Sequence, residues 1–126
     1  MVVSGRRPTD AELAILRVLW SRGPSTVRQV AECLGRGTGY TTVLKLLQIM
    51  TEKGLAVRDE SARTHVYDAA FSEDQTQRQL VADLLDRAFG GSAAKLVMQA
   101  LATRRTSATE LEEIRKLLHT HKGGAR

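Results

Sequence analysis

The sequence predicts a mostly α-helical protein interrupted once by a small β-hairpin. Three observations carry that expectation. Four times a Ser or Thr stands three residues before a Glu or Gln: Thr9 in "TDAE", Thr26 in "TVRQ", Ser72 in "SEDQ" and Ser107 in "SATE". At that spacing the hydroxyl accepts from one free backbone N–H of a first helical turn. The longer side chain reaches back to another, so each site marks a helix start. Apolar residues then recur at helical spacing behind the starts. Only residues 55–70 turn to short β-forming runs, "LAVRDE" and "THVYDAA", parted by "SAR".

Taken in order, the first helix is expected from Asp10 to about Ser21, with Leu13, Leu16, Val18, Leu19 and Trp20 apolar. "SRGP" ends it. Thr26 caps a short second helix carrying Val27, Val30, Ala31 and Leu34, which stops at "GRGTG". The third helix lies within "GTGYTTVLKLLQIMTEKG" and stops at Gly54, with Thr38, Tyr40, Thr41 and Thr42 expected in its first turn. Val43, Leu47 and Met50 recur at helical spacing and are expected to face the core, with Leu46 joining them. Three helices, two of them short and close together, followed by a hairpin, is the order of a winged helix-turn-helix domain. That domain is expected over residues 1–71.

From residue 72 onward the pattern is helical only. One apolar stripe holds Leu80, Val81, Leu84, Leu85, Ala88 and Phe89, and "GGS" breaks it. Leu96, Val97, Ala100 and Leu101 form a second stripe, and Leu111, Ile114, Leu117 and Leu118 a third. A segment this short, with one aromatic residue, buries little surface alone. Residues 72–126 are therefore read as a helical dimerisation domain, its stripes meeting those of a second copy.

Length and composition narrow the function. The chain has 126 residues, 42% of them hydrophobic, enough for a packed core. Nineteen Lys and Arg oppose 14 acids, giving +5 and a pI near 9.9, a balance that favours an acidic partner such as nucleic acid or an anionic membrane surface. A single cysteine, Cys33, excludes an intrachain disulfide and a multi-cysteine metal site, and is read as a small buried hydrophobe. The opening "MVVSGRRPTD" has no signal-peptide core and no run is long enough to span a membrane, so a cytoplasmic protein is expected. His119 and His121, two apart, diverge on a helix and do not share a metal. With no Ser/His/Asp set, paired carboxylates or phosphate-cradling glycine loop, an enzyme is not expected, nor a metal or cofactor.

The third helix carries the candidate chemistry. Opposite its apolar ridge lie Thr41, Thr42, Lys45 and Gln48. Threonine hydrogen-bonds base edges or sets its methyl against that of thymine, Gln pairs with adenine, and Lys reaches guanine or phosphate. Tyr40 and Thr38, at the positive end of the helix, suit phosphate oxygens. Arg36 in the preceding turn, Arg58 and Arg63 flanking the hairpin turn, and His65 beside them suit the DNA backbone. The alternative for the polar face is a solvated helix surface, and for Arg58 and Arg63 it is pairing with Asp59 and Glu60. A rival from another class is a winged-helix adaptor that holds a protein on this face without sequence-specific DNA binding, a reading fed by Leu44 and Ile49.

With these residues in place, the sequence resembles the BlaI/MecI/CopY family of bacterial winged-helix repressors. The likeness runs through "ELAILRVLW" (12–20), "STVRQVAECL" (25–34), "YTTVLKLLQIMTEKGL" (40–55) and "HVYDAAFS" (65–72). It continues through "FGGSAAKLVMQAL" (89–101) and "ELEEIRKLL" (110–118). The resemblance implies a homodimer on a palindromic operator, repressing genes for β-lactam resistance, metal handling or related stress. It also implies release by a membrane-bound sensor protease in the antibiotic-responsive members, or by metal in the copper-responsive ones. Two departures stand out. No cysteine follows Cys33, so the copper branch's cysteine cluster is absent, and Ser92-Ala93 stands where the protease-responsive members carry the cut Asn–Phe bond. Lys45 and Ile49 also replace residues that are often Thr and Arg in the family, which implies a different operator.

Overall fold

The computed structural model describes residues 7–121. Its elements are α1 (Asp10–Arg22), α2 (Val27–Leu34), α3 (Tyr40–Lys53), β1 (Ala56–Asp59), β2 (Val66–Ala69), α4 (Glu73–Ala88), α5 (Ala93–Thr103) and α6 (Ala108–Thr120). This is the expected mostly α architecture with a hairpin wing. The chain divides into two compact units, one ending at Ala82 and the other starting at Asp83, so α4 begins in the first and ends in the second.

The local signals act as their chemistry dictates. Thr9 and Glu12 form a reciprocal capping box at α1, Thr26 and Gln29 at α2, and Ser72 and Gln75 at α4. At α6 the Ser107 hydroxyl accepts from the Glu110 N–H at 3.0 Å. Ser92 caps α5 in the same way, through the Lys95 N–H. The third helix starts later than expected. Gly39 is its N-cap and supplies no side chain, so Thr38 lies in the preceding loop rather than in the first turn. At its other end Gly54 takes a left-handed conformation (φ 83°), and its N–H closes on the carbonyls of Met50 and Thr51.

The first unit holds the core. Ile15, Leu16 and Leu19 of α1, Val27 and Val30 of α2, and Val43, Leu47 and Met50 of α3 pack with Leu55, Ala56 and Tyr67. Leu46, expected in that core, is half-buried against it. Cys33 departs from expectation: it is exposed. The buried stripe of α2 runs through Val27, Val30, Ala31 and Leu34, and Cys33 sits roughly 100° round the helix from Leu34. Its sulfur lies 3.9 Å from Arg22 Nη1.

The wing is tied to the helices through Tyr67. The hairpin is antiparallel, with Ala56 opposite Ala69 and Arg58 opposite Tyr67. The Ser25 N–H donates to the Tyr67 carbonyl at 2.9 Å, and the Tyr67 N–H to the Ser25 carbonyl at 2.7 Å. With its ring 1% exposed, Tyr67 anchors β2 from both backbone and side chain. A second tie joins the ends of α1 and α3. The buried Glu12 carboxylate accepts from the Thr9 N–H and lies 2.7 Å from Lys53 Nζ. Both charges sit at the helix ends that the backbone dipoles favour.

In the second unit, α4 stops at a glycine pair, where Gly91 N–H reaches the Leu85 carbonyl at 2.8 Å and both glycines have positive φ. No residue of α5 or α6 is buried. Leu96 and Ile114 are half-buried, whereas Leu84, Val97, Leu101, Leu111, Leu117 and Leu118 are exposed. Among the described residues, no helix is long and apolar enough to cross a membrane.

Two substitutions measure these ties by urea unfolding. Leu47→Ala, which empties a fully buried site, is expected to cost about 2–5 kcal/mol. Glu12→Ala, which strips the Thr9 N–H and the Lys53 ammonium of their acceptor, is expected to cost about 1–3 kcal/mol. Equal midpoints for wild type and Glu12→Ala would show that the pair adds nothing.

Candidate nucleic-acid interface

The apolar ridge of α3 decides which of its side chains face outward. Val43, Leu47 and Met50 are 0% exposed, and the turn of the helix leaves Thr41, Thr42, Lys45 and Gln48 all exposed. Leu44 packs against the core and Ile49 is half-buried. The outward face of α3 is therefore polar, and the apolar residues that fed the adaptor reading do not make a patch on it.

At the start of α3 no side chain caps the helix. Val43 N–H bonds to the Gly39 carbonyl, which leaves the N–H groups before it pointing out of the helix end. Tyr40, 49% exposed, stands at this end, and Thr38 is half-buried just before it. Arg36 is exposed in the turn between α2 and α3.

The hairpin brings a second group of residues to the same place. Arg63, Thr64, His65 and Tyr67 line an open cleft with Thr26, Val27, Arg28, Tyr40 and Leu44. Of the residues expected to touch the DNA backbone, Tyr40, Arg63 and His65 thus share one cleft, although Tyr40 and His65 are far apart in sequence. Arg58 has other partners. Its guanidinium is held by the Tyr67 hydroxyl and ion-paired with Glu60, and together they raise its pKa above the ordinary arginine value. At the wing tip Asp59 is held below the usual carboxylate range by the Ser61 hydroxyl and backbone N–H, the latter at 2.9 Å. This Asx turn shapes the tip without drawing on Arg63.

Some basic residues are paired with acids and some are not, around α3 and elsewhere among the described residues. Lys53, Arg58, Arg78, Arg87 and Arg115 each meet a carboxylate. Among the described residues, Arg28, Arg36, Lys45 and Arg63 meet none within 4.0 Å, and all four border the outward face of α3 or its cleft. Unneutralised cations around a polar helix face are what phosphate contact requires.

Arg28 did not emerge from the sequence as a site residue. The signal for it was present: a cation in the first turn of a helix opposes the backbone dipole and needs another reason to be there. The structure puts its guanidinium carbon 5.8 Å from the centre of the Tyr40 ring.

Comparison with known proteins bears on this geometry. The penicillinase repressor family pattern matches residues 8–120. The transcriptional regulator BlaI of Mycobacterium tuberculosis is 33% identical over 112 residues, spanning 86% of this chain and 80% of that protein. The penicillinase repressor of Bacillus licheniformis is 23% identical over 116 residues, spanning 90% of this chain and 91% of that one. In fold, the chain is similar to a transcriptional regulator from Thermotoga maritima, with a TM-score of 0.51 at 16% identity, covering 94% of this chain and 79% of that one. The match spans α3, the hairpin and the helices beyond them, and the chain belongs to the penicillinase repressor family, whose members are transcriptional repressors rather than enzymes.

Proposed function

We infer that this repressor acts as a cytoplasmic homodimer on a palindromic operator, controlling β-lactam-resistance or related stress genes. The observation that carries the DNA-reading part is the polar face of α3, ringed by cations without carboxylate partners among the described residues. In this reading Thr41, Thr42, Lys45 and Gln48 meet base edges in the major groove. Tyr40, Thr38, Arg36, Arg63 and His65 meet the backbone, and Arg58 does so by exchanging Glu60 for phosphate.

The dimer part rests on the second unit. Val97, Met98, Leu101, Leu111, Leu117 and Leu118 are large apolar residues left exposed, Met98 at 66% and Leu118 at 65%. Such a concentration on two short helices calls for a partner surface. With Leu80, Leu84, Leu96 and Ile114, these residues form the proposed dimer interface. A twofold dimer places the half-site centres about one or two DNA turns apart, a multiple of roughly 10 bp. Release by a membrane-bound sensor protease falls, in this reading, at Ser92-Ala93. There Ala93 is exposed and a cut removes α5 and α6 from the reader.

Selection of bound duplexes from a random pool is expected to return a palindrome at that spacing. Thr42→Ala and Gln48→Ala should each then reduce operator over random preference by about 1–3 kcal/mol per lost base contact. An unchanged preference in both variants would remove these residues from the reading set. Leu101→Asp with Leu117→Asp is expected to give monomers in sedimentation and much weaker operator binding. A wild-type sedimentation profile after both changes would contradict the dimer.

A further inference from the structure

Arg28 stands where helix electrostatics disfavour it. It is the second residue of α2, whose first turn carries no acid, at the end where the peptide dipoles leave partial positive charge. Among the described residues, its guanidinium has no carboxylate within 4.0 Å and lies over the Tyr40 ring instead, 5.8 Å from its centre. Two more donors lie beside it. The capping box satisfies the N–H groups of Thr26 and Gln29, and Val30 N–H reaches the Thr26 carbonyl. The N–H groups of Val27 and Arg28 have no protein acceptor among the described residues. All of these residues except Gln29 and Val30 line the cleft, whose opposite wall carries Arg63 and His65 and which has no acid in its lining. Cations on both walls and free N–H groups at a helix end recognise an oxygen-rich anion.

We propose that this cleft holds a backbone phosphodiester of the DNA strand bordering the groove that α3 enters, with Arg28 as its contacting cation. The Tyr40 ring is the platform that holds the guanidinium extended toward the strand, by a cation–π contact that Arg makes more often than Lys. The inference rests on the reading of α3 as the groove helix and adds a contact from a different helix. Because a phosphate contact is blind to sequence, Arg28 contributes to affinity everywhere and to operator preference nowhere.

The test is titration of the selected operator and of random duplex across a salt series, with purified wild type and variants. Arg28→Ala is expected to weaken both complexes on the order of tenfold. The slope of log affinity against log salt should become shallower by about 0.9, one phosphate's worth, with the operator-to-random ratio unchanged. Arg28→Lys should recover the slope but not the full affinity. Tyr40→Phe keeps the ring and removes the hydroxyl's own contact; measured against it, Tyr40→Leu should weaken binding and add little once Arg28 is Ala. If Arg28→Ala melts early, Arg28→Gln is measured in its place. A wild-type slope in Arg28→Ala, or in Arg28→Gln, overturns the phosphate contact, as does a loss of operator preference. Full additivity of the Tyr40→Phe to Tyr40→Leu step with Arg28→Ala overturns the platform. Absence of salt-dependent binding by the wild type to any duplex instead overturns the reading of α3 itself.

Discussion

The face of α3 proposed to meet DNA depends on keeping the opposite ridge of that helix dry. Val43, Leu47 and Met50 are fully buried against α1 and α2, and burial of such side chains is worth roughly 1.5–3 kcal/mol each. Turning the helix by one residue, about 100°, would trade them for Leu44, Gln48 and Thr51 and put a polar amide into the core. The ridge therefore fixes the azimuth of the helix. Gly54 and the Lys53–Glu12 contact fix where it ends. The outward Thr41, Thr42, Lys45 and Gln48 are a consequence of that packing.

Around this helix the charges are sorted by what they already touch. The exposed pairs Arg78–Asp74, Arg87–Asp83 and Arg115–Glu112 lie within single helices and contribute little to stability. Each neutralises one cation on the helices that follow the wing. Arg28, Arg36, Lys45 and Arg63 have no such partner among the described residues, as is also true of Arg17, Arg22, Lys95, Arg104, Arg105 and Lys116. Tyr67 plays a related part in the wing. Its buried ring and two-way backbone link to Ser25 hold β2 against the start of α2, so that Arg63 and His65 lie across from Arg28 rather than swinging free.

The second unit is built on the opposite balance. Helices α5 and α6 have 11 and 13 residues, near the length at which an isolated helix is marginal in water, and they bury no residue. Ser92 and Ser107 supply caps that help each begin. The two helices carry six of the ten large hydrophobic residues left exposed among the described residues, which is why assembly enters the functional reading at this point.

The sequence alone determined what depends on neighbours three or four residues away. Capping boxes at Thr9, Thr26 and Ser72 bond across i to i+3, so their presence in the text is nearly their presence in space. The same locality made the α3 ridge, its polar face and the hairpin legible. It failed where a glycine supplied the cap: Gly39 begins α3 without a side-chain signal, and Thr38 was placed one turn too far inside. Tertiary structure decided the rest. Whether Arg58 meets Glu60 or solvent, whether Cys33 is dry, and which basic residues share a cleft all depend on side chains brought together by folding. Arg28, Tyr40 and His65 occupy three elements whose juxtaposition is set by the burial of Val27, Val43 and Tyr67, and no spacing along the chain encodes that meeting.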